Sequence, residues 1–318
     1  MKVFITDCDH KDIDIEKEII NSAGLELKLL QCRTEEDLIS QCKDADILIN
    51  QYAPITEVVM KSLPNLKLVV RYGVGVNNID VEAATKLGIQ VCNVPDYGIN
   101  EVADHALALM LSLVRKVVLM NNYTKSSKWD YKRSIPIRRI SELVVGVVGL
   151  GRIGRNFARK ASALGCKIIG YDPYYKPNRE DGTDFITPVS IEELIKEADV
   201  ISIHCPLEGA RNLFDEEAFK KMKKTAFIIN VARGGIINEA ALDKALEEGE
   251  IAGAALDCVE SEPMEPGAPL LRHENLICTP HMAWYSEEAS YELKRKVAEE
   301  IVRFYKKEGL RYPVNKLY

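Results

Sequence analysis

LVVGVVGLGRIGRNFARKASALGCKIIGYD, residues 143–172, decides the fold. It opens on a β-branched run at 143–148 and turns through Gly149, Gly151 and Gly154 in the spacing G-x-G-x-x-G. NFARKASALG then has helical character, and CKIIGY (166–171) is a second strand-like run ending at Asp172, 18 residues past Gly154. A strand, a glycine turn, a helix and a strand closing on an acid make up the dinucleotide-binding fingerprint. The first glycine permits a tight turn, the second lets backbone approach a pyrophosphate, and the third lets helix and strand pack closely. The helix N-terminus offers N–H groups and a positive dipole end, with Arg152 as a charged donor and Ile153 completing the motif. Asp172 is placed to accept from both ribose hydroxyls and to repel a 2′-phosphate, which favours NAD over NADP. Arg179 nearby keeps NADP open, and Asp172 also suits a turn cap before Pro173.

Working outward, short apolar runs alternate with helix-period segments on both sides of this unit. Before it lie strand candidates at 2–6, 26–32, 46–50, 67–70 and 89–93, with helix candidates around 13–23, 34–43, 56–62 and 80–87. After it come strand candidates at 199–204, 226–230, 251–257 and 276–280. Such alternation predicts parallel sheets covered by helices, hence an α/β chain of two doubly wound domains. Residues 100–121 (NEVADHALALMLSLVRKVVLMN) read as one buried helix between the two series, and 286–309 as a long amphipathic helix presenting Ala289, Leu293, Val297, Ile301 and Phe304. The tail LRYPVNKLY is expected to fold back onto the first domain.

The 318 residues allow two domains. A composition of 47 % hydrophobic and 28 % charged residues excludes a disordered or collagen-like chain, and a net charge of -6 gives no footprint for nucleic acid. The one basic cluster, 125–139, reads as a surface crossing. No apolar run is long enough for a membrane span, and the first residues open as a strand rather than a leader, so the expected location is cytoplasmic. Eight dispersed cysteines include no C-x-x-C pair, and the histidines form no H-x-x-x-H, so no metal is expected.

Three segments follow strands of the second series: NVARGG (230–235), LDCVESEPMEP (256–266) and CTPHMAWY (278–285). In an open parallel sheet that edge is where ligands bind. Arg233, Asp257, Glu262 and His281 lie there. Hydride transfer to a 2-keto acid needs such a set: a planar cation to grip a carboxylate by two bonds, and an acid for the carbonyl oxygen. A histidine suits the second role near neutral pH, with a carboxylate to hold its tautomer. Other readings stand beside these. Arg233 also fits a surface position, Glu262 competes with Asp257, Glu260 and Glu265, His281 also fits a cap or a packed position, and His204 is a rival acid. His105, on the apolar helix, reads as a satisfied buried histidine, and Cys205 has no base-and-orienter set to make it a nucleophile.

RYGVGVNNID, NEVADHALAL, VGVVGLGRIG, HCPLEGARNLF, INVARGG, AALDCVESEP and TPHMAWYSEEA together resemble the D-isomer-specific 2-hydroxyacid dehydrogenase family over nearly the whole chain. VPDYGINEVADHALAL and the Trp of PHMAWYSEE look most like its C-terminal-binding-protein branch. The resemblance implies a Rossmann NAD domain (100–285) inserted in a flavodoxin-like substrate domain (1–99 and 286–318), forming a homodimer through the NAD domain. It implies that Arg233 binds the substrate carboxylate and keto oxygen, that Glu262 pairs with His281, and that His281 is the acid/base. Asp257 would lie near the nicotinamide carboxamide, with Cys205, Pro206, Val231 and Ala232 lining the cofactor. Backbone N–H groups of Gly73, Val74 and Gly75 would hold the carboxylate, and Arg71, Tyr72 and Trp284 would face the substrate.

The expected activity is hydride transfer between NAD(H) and a 2-oxo or D-2-hydroxy acid. Tyr72, Tyr97, Trp284 and Tyr285 as an aromatic wall favour an uncharged side chain. The alternative is an NADH-sensing corepressor or scaffold, as in eukaryotic members of that branch. Glu262, where a formate enzyme would carry Gln, weighs against formate.

Overall fold

The computed structural model describes residues 1–176 and 182–317. The chain forms two compact units, one from residues 1–98 with the C-terminal segment from Ser286, the other from Ile99–Tyr285. Each is a parallel sheet with helical cover.

In the first unit, β1 (Lys2–Ile5), β2 (Glu26–Leu29), β3 (Ile47–Asn50), β4 (Leu68–Arg71) and β5 (Gln90–Cys92) run in the order β2-β1-β3-β4-β5. This is the flavodoxin-like doubly wound order. The central strand β3, Ile-Leu-Ile-Asn, is buried throughout, as a strand covered on both faces must be. Helices α1 (Asp14–Ser22), α2 (Glu35–Gln41), α3 (Glu57–Ser62) and α4 (Val81–Lys86) connect the strands. Their starts are encoded locally: Thr34 and Asp37 form a reciprocal capping box on α2, and Asp80 caps α4. The long helix at the C-terminal end, Glu287–Tyr305, buries Ala289, Leu293, Val297 and Ile301 of the face its sequence spacing marks, and leaves Phe304 half-buried in the last turn. Beyond it the tail pairs with β5: Asn315 accepts from Gln90 Nε2 (2.7 Å) and Val91 N (2.8 Å).

One buried ionic contact ties this unit together. Lys294, 6 % exposed, donates to the Asp12 carbonyl and carboxylate, both at 2.8 Å, and lies 3.8 Å from the fully buried Glu16. Glu16 also accepts from the Tyr72 hydroxyl at 2.7 Å. Burial raises the Glu16 carboxyl above its ordinary value despite these partners. Removing one partner of a buried pair strands the other, at a cost of about 3–5 kcal/mol. Lys294→Met therefore lowers the unfolding free energy by about 3 kcal/mol in a urea titration; a midpoint unchanged from wild type would show the contact to be inconsequential.

In the second unit, α5 (Ile99–Val114) and α6 (Val117–Lys125) precede the sheet. Its strands are β6 (Val144–Val148), β7 (Lys167–Tyr171), β8 (Ile186–Pro188), β9 (Val200–Ile203), β10 (Phe227–Asn230), β11 (Gly253–Leu256) and β12 (Leu276–Cys278). They run in the order β12-β11-β10-β9-β6-β7-β8, all parallel. This is the Rossmann order with a further strand, and the direction of winding reverses between β6 and β9. Helices α7 (Arg152–Ala163), α8 (Ile191–Glu197), α9 (Glu216–Lys221) and α10 (Glu239–Glu247) fill the crossovers; the C-terminal helix is α11.

The expected single helix over 100–121 is two. α5 stops at Val114, Lys116 takes the left-handed conformation at φ 54°, and α6 follows with no buried residue. The apolar spacing persists past Val114 but there is no core left for it to enter. No helix among the described residues is long and apolar enough to cross a membrane.

Candidate active site

The glycine turn is shaped by contacts that allow no side chain at two of its three positions. Gly149 sits at φ 91°, and a Cβ there would meet Cys205 N at 2.6 Å. A Cβ on Gly154 would meet the Gly149 carbonyl oxygen at 1.9 Å. At Gly151 a Cβ would meet nothing within 4 Å, so this backbone is open to a visitor. α7 begins there without a side-chain cap, which leaves its first N–H groups for an anion. These features fit a dinucleotide pyrophosphate. Gly154→Ala forces the turn apart, and overpacking of this kind costs about 1–3 kcal/mol. The expected result is a lower thermal midpoint together with loss of NADH fluorescence enhancement; retention of both would contradict the packing described.

Asp172 is half-buried at the end of β7. Its Oδ2 accepts from Leu150 N and its Oδ1 from Tyr174 N, both at 2.8 Å. The carboxylate thus caps its own turn and pins the glycine loop, and each oxygen keeps a lone pair for a ribose hydroxyl. Arg179 lies outside the described residues. Arg152 is exposed and Ile153 half-buried at the start of α7. Cys205 and Pro206 follow β9, and burial, with a contribution from Asp172, pushes the Cys205 thiol up to about 11. Such a thiol is no nucleophile at neutral pH. His204, the rival acid, packs on Phe157 at 5.1 Å with Nε2 on Ser202 Oγ (2.9 Å), and burial holds it down to about 3. It is a neutral structural histidine.

At the end of β10, Asn230 staples the turn that carries Arg233. Its Nδ2 donates to the Arg233 carbonyl (2.8 Å) and its Oδ1 accepts from Ala232 N (3.0 Å). Val231 is buried and Ala232 half-buried beside it. Arg233 is half-buried, with Nη1 on the Ala232 carbonyl at 2.6 Å. A Cβ on Gly234 would lie 1.9 Å from the Val259 carbonyl oxygen, so only glycine lets this turn close on the segment after β11. Sequence reasoning missed Asn230 as a positioning residue; its signal is an Asn at a strand end, where the side chain mimics a backbone turn.

His281 Nδ1 lies 2.6 Å from Glu262 Oε2, and the other Glu262 oxygen accepts from Val259 N at 3.2 Å. Burial raises the Glu262 carboxyl, but the hydrogen bond and charge of His281, the Val259 N–H and the Arg233 charge outweigh it and leave it below its ordinary value. A carboxylate accepting at Nδ1 assigns the ring proton to that nitrogen and leaves Nε2 for chemistry. The neighbouring acid Glu260 is used elsewhere, its carboxylate accepting from Glu239 N at the start of α10. His281 is itself in the left-handed region, φ 51°, where a non-glycine residue is held only by its surroundings. What holds it is Asp257: the Asp257 carbonyl accepts from His281 N (2.9 Å), and its carboxylate accepts from Thr279 Oγ1 (2.6 Å), Met282 N and Ala283 N (both 3.0 Å). His105 Nε2 meets Thr279 Oγ1 at 3.0 Å and extends the network.

Two expectations are corrected here. The Asp257 side chain has no exposed surface, so in this conformation it anchors the histidine segment rather than facing a cofactor. Tyr72 is 2 % exposed with its hydroxyl on Glu16, so it belongs to the core of the first unit and not to an aromatic wall. At the carboxyl end of β4, Gly73 takes φ 132°, and its N–H turns back onto the Arg71 carbonyl at 3.0 Å. Of the three N–H groups expected to hold a carboxylate, that one is already used. Arg71 is half-buried against Gly73, Val74 is exposed and Gly75 half-buried. Trp284 stands edge-on to Tyr285 at 5.5 Å, three residues past His281.

Residues 107–283 match the family described as D-isomer specific 2-hydroxyacid dehydrogenase, NAD binding domain. The chain is 40 % identical over 303 residues to a D-3-phosphoglycerate dehydrogenase of Methanocaldococcus jannaschii, covering 95 % of this chain and 57 % of that protein. It is 38 % identical over 275 residues to a glyoxylate reductase of Korarchaeum cryptofilum, covering 84 % and 82 %. The crystal structure of an Aquifex aeolicus D-lactate dehydrogenase complexed with NAD and lactic acid superposes with a TM-score of 0.87 at 27 % identity, over 96 % of each chain. The chain belongs to the D-isomer specific 2-hydroxyacid dehydrogenase family. Its second unit carries that family's NAD-binding domain. The chain spans little more than half the length of the phosphoglycerate dehydrogenases it matches.

Proposed function

We propose that the chain is an NAD-dependent dehydrogenase that interconverts a small 2-oxo acid and the corresponding D-2-hydroxy acid. The observation that carries this reading is the His281–Glu262 pair at 2.6 Å, held in a left-handed turn by buried Asp257, with the Arg233 charge close enough to act on Glu262. A nicotinamide dinucleotide would supply the hydride. Gly149, Gly151, Arg152, Ile153 and Gly154 would hold its pyrophosphate, Asp172 its ribose, and Cys205, Pro206, Val231 and Ala232 would line it. Arg233 binds the substrate carboxylate and keto oxygen through its planar fork. His281 gives the Nε2 proton to the carbonyl oxygen as it becomes an alkoxide, and Glu262 keeps the ring oriented with Nδ1 protonated. In the first unit, Arg71, Val74 and Gly75 are the substrate-binding residues of this reading.

Trp284 and Tyr285, stacked edge to face and following His281 closely in the chain, support an uncharged substrate side chain. The relatives' names include enzymes for a phosphorylated substrate and for glyoxylate, so a panel decides between them. Loss of NADH absorbance is expected to be faster with uncharged 2-oxo acids than with 3-phosphohydroxypyruvate, and faster with NADH than with NADPH. A preference for the phosphorylated acid would overturn the side-chain assignment, and a preference for NADPH the role of Asp172. Nothing among the named relatives favours the corepressor reading. Exposed Val117, Trp129, Tyr131 and Ile135 support a homodimer through the NAD-binding unit, read by light scattering.

A further inference from the structure

The catalytic pair has a neighbour that the reaction does not use. Cys258, Glu262 and His281 each offer a ligand atom, and all three atoms lie within 4.8 Å of one another. Cys258 and Glu262 come from the segment after β11, His281 from the segment after β12. Cys258 is 2 % exposed, with its thiol toward the Ala232 carbonyl at 3.5 Å. The side chains of Glu262 and His281 are 39 % and 41 % exposed. The triad is thus walled by protein at the sulfur and open to solvent at the carboxylate and imidazole.

Sulfur, nitrogen and oxygen donors in this combination suit Zn²⁺, which binds them at about 2.0–2.3 Å in a tetrahedron, so its ligands stand roughly 3.3–3.6 Å apart. The three ligand atoms already lie within 4.8 Å of one another, with His281 Nδ1 and Glu262 Oε2 at 2.6 Å. Asp257, buried beside Cys258, and Glu262 offset the nearby Arg233 charge. We propose that Cys258, Glu262 and His281 form a binding site for one soft divalent cation, Zn²⁺, with water as the fourth ligand. On binding, the Cys258 thiol proton leaves to solvent, the His281 ring proton is held on the nitrogen that does not ligate, and metal–ligand bonds replace the His281–Glu262 hydrogen bond. Burial holds the free thiol protonated well above its ordinary range, which the metal must overcome by ligation. A further consequence rests on the dehydrogenase reading: an occupied site takes His281 out of proton transfer, so zinc is a reversible inhibitor.

The test is titration of the purified, tag-free full chain with Co²⁺ and, in competition with a chromophoric chelator, with Zn²⁺. The site predicts one equivalent bound, with a near-ultraviolet thiolate-to-cobalt band. Cys258→Val abolishes the band and weakens zinc binding at least tenfold, Cys258→Ser weakens it in the same direction, and Cys278→Ser, at the exposed cysteine, changes neither. A wild-type spectrum without the thiolate band, or zinc affinity unchanged in both Cys258 variants, overturns the proposal. The two readings fail separately: zinc bound through Cys258 by a protein that reduces no 2-oxo acid removes the dehydrogenase reading alone, and turnover without Cys258 ligation removes the zinc site alone.

Discussion

His281→Ala lowers turnover by about 10²–10⁴-fold, the contribution of a positioned general acid. The effect falls on kcat, because the imidazole acts as charge develops on the carbonyl oxygen and not in holding the ground state. NADH affinity stays within about twofold, since the glycine turn and Asp172 belong to other strand ends. Glu262 sits below its ordinary value and is therefore a carboxylate throughout the range in which a histidine titrates. Glu262→Gln keeps the shape of the contact but removes the charge, and is expected to fall between wild type and His281→Ala. A His281→Ala enzyme with near-normal turnover would show that the proton comes from elsewhere; His204, held neutral in the core, is not equipped to replace it.

Arg233→Ala has an effect of the same order by a different route. Two hydrogen bonds to a charged group contribute about 1.5–3 kcal/mol each, so kcat/KM falls roughly 10²–10⁴-fold. Both KM and kcat change, because the guanidinium holds the carboxylate before reaction and the keto oxygen during it. Arg233→Lys keeps the charge without the fork and recovers only part of the loss. Recovery to wild-type kcat/KM by lysine would mean that a point charge suffices and that the bidentate reading is wrong.

The two sheets were legible because their signals are local. Buried parallel strands read as continuous apolar runs, and the glycines, caps and α11 face depend on residues a few positions apart. What escaped depended on contacts distant in the chain. No Gly or Pro falls between Ile99 and Ile135, so nothing local marks the end of α5 at Val114; the helix stops where the unit's interior stops. β8 is three residues ending in a proline and lacks the length to announce itself. In the site, the residue types and the strand-end positions were readable, but their partners were not. Tyr72 looks like a substrate-facing aromatic until Glu16, far off in the chain, takes its hydroxyl. Asp257 looks like a ligand group until the 279–283 segment closes over it. Cys258 carries no motif at all, and only the folding of two strand ends together sets it beside His281.

In the proposed reaction His281 delivers a proton as a 2-oxo acid is reduced by NADH. The most direct measurement is the decay of NADH absorbance when wild-type protein and His281→Ala are mixed with the same series of 2-oxo acids. Decay is expected with at least one acid for wild type and essentially none for the variant. No decay with any acid in the wild-type protein, or equal decay in both, would contradict the proposed reaction.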